Sequence, residues 1–170
     1  KILKISSPGT EGMSQIWPAY LGTDQRKYHV PCIHCGFPQE LVFTQLKFPD
    51  RIPENCYYEC INCKGKLEEK DKFRMIEAGS WVKTFPDIIH KPGFHLSRLY
   101  SIFSPWSKMV DEFMKAKKKA DAGDTKSLQV FINASLAQLW NPYTAPTSVQ
   151  ELEKRKEYYM QEKDSILPSK

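Results

Sequence analysis

Apolar and polar residues alternate in short runs over residues 1–100, a pattern typical of β-strands separated by turns. The predicted strands are residues 2–6, 27–30, 40–43, 55–59, 81–82 and 94–96. Loops that contain proline and glycine separate them. One helix is predicted among the strands, over residues 71–78, with Asp71 as its cap and Gly79 just after its end.

From Ser104 onward the apolar residues follow a helical period. The first predicted helix begins at Ser104–Trp106, and its apolar face is made of Met109, Val110, Phe113 and Met114. A turn at residues 122–124 leads to a second helix. That helix is predicted to bury Leu128, Phe131, Ile132, Ser135 and Leu139. Residues 142–148 are predicted to be a polar linker, and residues 149–161 a last helix with little apolar face.

Four of the five cysteines form two C-x-x-C pairs, a spacing typical of a zinc ribbon. The pairs are Cys32–Cys35 and Cys60–Cys63. Each such turn directs two sulfurs at one point, and two turns side by side complete a tetrahedron of ligands. Gly36 and Gly65 follow the pairs, and we expect both to supply the positive φ that a tight turn favours. A zinc ion held by four thiolates has no open coordination position, so its role is structural.

Three other arrangements of the cysteines stay open at this point. The pairs could be disulfides, although the number of cysteines is odd. One pair could be a redox dithiol, although no βαβ pattern surrounds either. Cys56 could replace one of the four ligands, although its spacing breaks the paired symmetry, and we expect a free thiol in a strand. We expect His34, inside the first pair, to point to solvent.

Composition is that of a globular protein, with 41% hydrophobic, 26% charged and 12% aromatic residues in a chain of 170. We expect no signal peptide and no transmembrane span, because no apolar run is long enough. The fold class that these patterns predict is α+β. Its parts are a small zinc-ribbon β unit with short strands and an antiparallel helical segment after it.

The net charge of +5 is a weak argument for nucleic-acid binding. Four thiolates and one Zn²⁺ would lower it by two, to +3. A local cluster on the first predicted helix is the candidate for contacts to DNA phosphates: Lys115, Lys117, Lys118 and Lys119. The alternative is a solvated face whose charge favours the C-terminal end of the helix.

Several catalytic motifs are missing from the sequence. No G-x-x-x-x-G-K-[ST] phosphate loop occurs, since the one Gly-Lys, at Gly65, is followed by Leu67 and not by Ser or Thr. No G-x-S-x-G string occurs, and no acidic pair lies on a strand-like run. We therefore expect no catalytic residue in this chain and no enzyme activity from it alone.

A series of stretches occurs in a fixed order along the chain. They are residues 6–8 (SSP), 24–36 (DQRKYHVPCIHCG), 58–63 (YECINC), 79–82 (GSWV), 93–101 (GFHLSRLYS) and 131–140 (FINASLAQLW). The series resembles the large subunit of tailed-phage terminases of the lambda-like, gpA type. The Tyr-x-Val-Pro lead into the first C-x-x-C pair and the last stretch are the most specific parts of the resemblance.

The resemblance implies an interior piece of a motor that packages double-stranded viral DNA into a procapsid and cuts it. It implies that ATP and Mg²⁺ act only in the parent protein, whose ATPase motifs precede this chain and whose nuclease begins near its end. The implied partners are viral DNA, the small terminase subunit and the portal or procapsid, in the cytoplasm of a bacterial host. Ser6 and Ser7 match the family's coupling motif, although the family usually has Thr at one of the two positions.

The resemblance also implies a division of the chain. The expected segments are the last ATPase strand and coupling loop (1–25), the zinc ribbon and short helix (26–78), short strands (79–103), a helical hairpin (104–141) and a linker and helix leading to the nuclease (142–170). The alternative function is a stand-alone zinc-ribbon adaptor that binds nucleic acid or protein.

Overall fold

The computed structural model describes residues 2–142, and these have a mixed α+β fold. The chain divides after Trp140, and residues 1–140 form its first compact unit. The predicted divisions at residues 25, 78 and 103 therefore all fall inside the first unit. Apart from Pro142, the predicted linker and the last helix lie outside the described residues. Among the described helices, none combines the length and the apolar character needed to cross a bilayer.

Short elements make up the first unit. The strands are β1 (Arg26–Pro31), β2 (Pro38–Glu40), β3 (Leu46–Lys47), β4 (Tyr57–Glu59), β5 (Lys66–Leu67), β6 (Ser80–Lys83) and β7 (Phe94–His95). The helices are α1 (Ile16–Leu21), α2 (Glu69–Glu77), α3 (Trp106–Asp121) and α4 (Lys126–Val130), with a π-helical turn over Phe131–Ser135. Single 3-10 turns lie at Phe43–Gln45, Pro49–Arg51, Pro53–Asn55 and Arg98–Tyr100.

Two small sheets hold the strands. In the first, β1 pairs antiparallel with β2 and β6, and its beginning pairs parallel with β7. In the second, β4 lies between β3 and β5, and both pairs are antiparallel. Each sheet contains one hairpin with a C-x-x-C pair at its turn: β1–β2 in the first and β4–β5 in the second.

The core joins these sheets to the helices. Trp106, at the start of α3, is fully buried, and its ring centroid lies 5.8 Å from that of Tyr58 on β4. The Trp106 indole N–H donates to the carbonyl of Leu99 at 3.0 Å. Tyr100 ties the first hairpin to the same region, since its hydroxyl donates to the carbonyl of Tyr28 on β1 (2.5 Å) and accepts from the N–H of Leu41, just after β2 (2.7 Å).

Asp24 is a fully buried carboxylate at the entry to β1. Its side chain accepts from the backbone N–H of Gly93 (3.0 Å) and from the Arg26 guanidinium (2.8 Å). Its backbone carbonyl accepts from Thr84 and Phe85, just after β6. Burial acts to raise the pKa of Asp24, but the Gly93 N–H and Arg26 outweigh it and hold the pKa below its ordinary value. Asp24 therefore fixes β1, the end of β6 and the turn before β7 together.

Two of the predicted strands are wrong: one segment forms no strand, and the other strand lies at different residues. Residues 2–6 make no strand, and Ile2, Leu3 and Ile5 are each more than 80% exposed. A strand is stable only with neighbours to pair with, and the described residues offer this segment none. The strand predicted at 40–43 is β2, which ends at Glu40 before a 3-10 turn.

The observed helices also differ in their bounds from the predicted ones. α2 begins at Glu69, so Asp71 is its third residue and accepts from the backbone N–H of Glu68 (2.9 Å). The helix predicted to run to Asn141 leaves α-helical geometry at Phe131, because a π-helical turn follows. No helix continues past Ser135, and Ala137 has a φ of +54°. Leu136 and Trp140 are buried in this non-helical stretch, while Leu139 is only half-buried.

Candidate metal centre

The two C-x-x-C pairs occupy equivalent turns. In the first, the N–H of Cys32 donates to the carbonyl of Phe37 (3.0 Å), and the N–H of Gly36 donates to the carbonyl of Cys32 (2.8 Å). In the second, Cys60 donates to Gly65 (3.0 Å) and Lys64 donates to Cys60 (3.1 Å). The same residue offsets recur in both turns, so each hairpin presents its two sulfurs in the same way.

The glycines of the two turns are required for different structural reasons. Gly36 has a φ of +71°, as predicted, but its counterpart in the second turn is Lys64, with a φ of +59°. Gly65 has no positive φ, so the expectation for it is wrong. It is needed because of crowding: a Cβ at Gly65 would lie 2.7 Å from Cδ2 of His34 and 3.2 Å from Sγ of Cys63.

The four sulfurs lie at the spacing that a metal requires. All of them are within 4.8 Å of one another, and Sγ–Sγ is 3.8 Å both for Cys32–Cys63 and for Cys35–Cys60. A tetrahedral zinc with Zn–S bonds of about 2.3 Å places its sulfurs about 3.8 Å apart. Among the described residues this is the one group that could hold a metal, and its donor set of four thiolates fits zinc.

The two sides of the cluster differ in environment. Cys32 and Cys60 are buried, whereas Cys35 and Cys63 are exposed. Burial raises the pKa of the Cys32 thiol to about 12. The backbone N–H of Phe37, with the Asn62 amide, lowers the pKa of Cys35 to about 6. A metal ion bound here would compensate the buried thiolate, since a coordinated thiol is deprotonated.

Polar side chains tie one turn to the other. The side-chain amide oxygen (Oε1) of Gln39, a buried residue on β2, accepts from the N–H of Ile61 (3.0 Å). Nε2 of His34 lies 2.8 Å from the carbonyl of Lys66, so the ring bonds to the second hairpin and is not simply directed at solvent. The Asn62 amide lies 3.7 Å from the sulfur of Cys35. The sequence pattern did not predict a role for Gln39 or Asn62, although a polar residue at an inward strand position was a signal for Gln39.

Cys56 lies outside the group of four, directly before β4 and half-buried. Burial, together with the carboxylate of Glu69, raises the pKa of its thiol to about 11. The thiol therefore stays protonated at neutral pH, and it is its position outside the group of four that separates Cys56 from the candidate ligands.

Changing Gly65 to alanine is expected to lower the free energy of unfolding by about 1–3 kcal/mol, because the new methyl group overlaps the His34 ring. Denaturant unfolding measures this. Gly22→Ala is the matched control, since its methyl group would meet only carbonyls at 3.8 Å and its φ is −81°. We expect the control to stay within about 0.5 kcal/mol of the parent chain. Equal effects of the two changes would contradict the crowding at Gly65.

The lysines predicted to contact DNA lie on α3. Lys115 pairs with Asp111 (2.7 Å), and Lys117 pairs with Asp121. Lys118 and Lys119 are exposed in the last turn, where their charge favours the C-terminal end of the helix. The ion pairs found among residues 2–142 do not include these two, so they are the lysines of this cluster best placed to meet an external phosphate.

Ser6 and Ser7 lie in the extended segment before Pro8. The Ser6 hydroxyl donates to the carbonyl of Ser7 at 3.0 Å, and both residues are exposed. The assignment of this pair as a coupling motif stays a prediction.

Two family models match the chain. Residues 1–81 match the ATPase domain of the phage terminase large subunit gpA, and residues 91–169 match the endonuclease domain of the same subunit. The second match begins well before the point where the resemblance placed the start of the nuclease.

Two curated relatives match as well. The large terminase subunit of Escherichia phage lambda is 27% identical over 183 aligned positions, covering 94% of this chain and 28% of the relative. That of Enterobacteria phage P21 is 27% identical over 163 positions, covering 82% of this chain and 25% of the relative. The chain thus spans about a quarter of the length of these relatives. No solved structure matches it significantly.

Proposed function

The chain belongs to the gpA-type family of phage terminase large subunits, and from this premise we propose that it forms the structural junction between an ATPase domain and an endonuclease domain. The observation that carries the proposal is the order of the two matches, residues 1–81 for the ATPase and 91–169 for the endonuclease. The alternative, a stand-alone zinc-ribbon adaptor, leaves both of these matches unexplained.

Hydrogen bonds between the two matched segments support this role. The Lys72 ammonium, 2% exposed, donates to the carbonyl of Ser104 (2.8 Å), and Glu69 accepts from the N–H of Trp106 (2.8 Å). At the other end, Trp140 donates to the carbonyl of Gly9 (2.8 Å) and accepts from the N–H of Glu11 (2.8 Å). Residues on both sides of the stretch 82–90, which neither family model matches, therefore belong to one packed body, suited to transmit force between two domains.

We assign zinc to the four-cysteine cluster, with a structural role. The ligands are Cys32, Cys35, Cys60 and Cys63. Sheets this small bury little apolar surface of their own, so a metal that crosslinks the two hairpins would supply much of their stability. Four thiolates also leave no position for a substrate or a water.

The activities that the family descriptions name belong, in this proposal, to a longer parent protein. ATP and Mg²⁺ would act in its ATPase domain, and the chain alone would be catalytically inactive. The parent would package and cut double-stranded viral DNA in the cytoplasm of a bacterial host. Its partners would be the small terminase subunit and the portal or procapsid. Ser6 and Ser7 would lie where ATP hydrolysis is coupled to movement.

The DNA contact proposed for α3 can be tested on the chain itself, separately from the junction role. Changing Lys118 and Lys119 together to alanine is expected to weaken duplex DNA binding and to lower the slope of log K against log salt by about two, because each phosphate contact contributes about 0.9. The measurement is duplex binding at several salt concentrations.

A charge-matched variant, Lys4→Ala with Lys70→Ala, is the control, because both residues are exposed and neither belongs to α3 or to the cysteine turns. We expect its salt slope to change less. If the two double variants bind duplex DNA with the same slope, Lys118 and Lys119 are only a solvated helix end and the DNA path lies elsewhere.

A further inference from the structure

One face of the first sheet carries aromatic rings and cations side by side. Across the strands, Arg26 on β1 is opposite Lys83 on β6 and Phe94 on β7, and Tyr28 is opposite Trp81. Residues two apart on a strand point to the same side, so these five side chains share a face. We call them the aromatic–cationic face.

The rings of this face are in mutual contact. The centroids of Trp81 and Phe94 are 4.9 Å apart, and those of Trp81 and Tyr28 are 5.0 Å apart, both in edge-to-face geometry. The Arg26 guanidinium carbon lies 5.3 Å from the centroid of Phe94. Yet Trp81 is 38% exposed and Phe94 is 54% exposed. The rings are thus ordered by their neighbours while much of their surface still faces water.

The exposed charges of this face are positive. The Lys83 side chain is 37% exposed and that of Arg26 is 28% exposed, whereas the carboxylate that balances them, Asp24, is 1% exposed. Asp24 directs its oxygens at Arg26 and at the N–H of Gly93, within the protein. An approaching ligand therefore meets two cations and aromatic surface, with the negative charge below them.

We propose that the aromatic–cationic face binds single-stranded DNA, with unpaired bases stacked on Phe94 and Trp81 and phosphates held by Lys83 and Arg26. Aromatic rings beside cations suit a single strand, since every unpaired base offers a π-face and every link a phosphate. A duplex hides its base faces, so it could use only the cations. A second copy docked here by twofold symmetry would bring the same cations together, which is repulsive.

The inference rests on the proposed function in that DNA is the ligand, but it concerns different residues from the lysines of α3. A protein that cuts a duplex meets strand ends and unpaired bases, and this face is suited to hold one. The two sites are separable, because the face belongs to β1, β6 and β7 whereas Lys118 and Lys119 lie on α3.

The test compares binding of a labelled oligothymidine of about 15 nucleotides and of a duplex to the 170-residue chain by fluorescence anisotropy. Phe94→Leu and Trp81→Leu each remove a stacking surface and keep an apolar side chain. We expect each to weaken binding of the single strand about 5-fold or more, with duplex binding unchanged. Phe103→Leu is the matched control, since Phe103 is 91% exposed and no ring contact is found for it among residues 2–142. We expect the control to bind like the parent chain.

Two readouts make the outcomes distinct. Thermal unfolding shows whether each variant is folded, and quenching of tryptophan fluorescence by the oligothymidine should largely disappear in Trp81→Leu. The proposal is overturned if the folded Phe94→Leu variant binds the single strand as tightly as the control does. It is also overturned if the parent chain does not bind the single strand, or if neither leucine variant weakens that binding. Either result counts even where the chain still binds a duplex through α3. If the parent chain binds the single strand but not the duplex, the DNA contact proposed for the lysines of α3 is wrong and the proposal for this face is unaffected.

Discussion

Replacing Cys60 with serine is expected to abolish binding of the proposed zinc ion and to unfold the first compact unit. Cys60 is fully buried, and its sulfur lies 3.8 Å from that of Cys35 in the other hairpin. Structural zinc contributes an apparent binding free energy of about 10–16 kcal/mol in zinc-finger peptides, comparable to or larger than the whole stability of an ordinary domain. Few other interactions of the chain approach this size.

Unfolding should extend beyond the two hairpins. Tyr58, two residues before Cys60, is fully buried against Trp106 of α3, and its hydroxyl accepts from the N–H of Val42 (3.0 Å). When β4 loses its register, α3 loses the surface against which it packs. We expect circular dichroism and thermal unfolding of Cys60→Ser to show loss of the cooperative transition for the helices as well as for the sheets.

Cys56→Ser is the matched control, because it makes the same chemical change at a half-buried cysteine outside the cluster. We expect it to keep its zinc and its transition, with a stability change of about 1 kcal/mol or less. If Cys60→Ser unfolds like this control, the cluster does not hold the fold together.

Asp24→Ala is expected to destabilise the chain by about 2–3 kcal/mol, because it removes a buried acceptor of charge-assisted hydrogen bonds. The change leaves the N–H of Gly93 without its acceptor and Arg26 without its carboxylate. Asp87→Ala, which removes an exposed carboxylate from the loop after β6, is the control, and we expect it to change stability by about 0.5 kcal/mol or less. Denaturant unfolding at neutral pH measures both variants, and similar losses would contradict the role of Asp24.

The pH dependence follows from the same contacts. The pKa of Asp24 is lowered in the folded chain, so its contribution is fully present above the unfolded pKa of about 3.9. It is lost as the pH falls through the lower, folded pKa. Between neutral pH and acid, Asp24→Ala should therefore lose less stability than the parent chain does. An unchanged acid profile would mean that the Asp24 pKa is not lowered.

The spacing of the cysteines was enough to predict the cluster, because two short turns with the same offsets leave little freedom for four sulfurs. The sequence could not show why Gly65 is glycine. That reason is the approach of His34 from the other hairpin, a contact between residues far apart in the chain. Asp24 was missed for the same reason, since its partner Gly93 lies 69 residues away.

The differences between the predicted and the observed secondary-structure elements also have physical causes. Residues 2–6 have the alternation of a strand, but alternation does not supply a neighbour to pair with, and the segment is exposed. The helical period through Phe131 predicted a continuous helix, whereas the chain passes through one π-helical turn and leaves helical geometry after Ser135. The aromatic–cationic face could not be predicted from the sequence either, because its residues come together only when β6 and β7 both pair with β1.

The zinc content of the purified, reduced chain, measured by mass spectrometry of the metal, tests the central claim most directly. We predict one zinc ion per chain, bound by Cys32, Cys35, Cys60 and Cys63, with loss of the cooperative unfolding transition once a chelator removes it. A chain that is folded without zinc, or one with a Cys32–Cys35 disulfide in a reduced preparation, would contradict it.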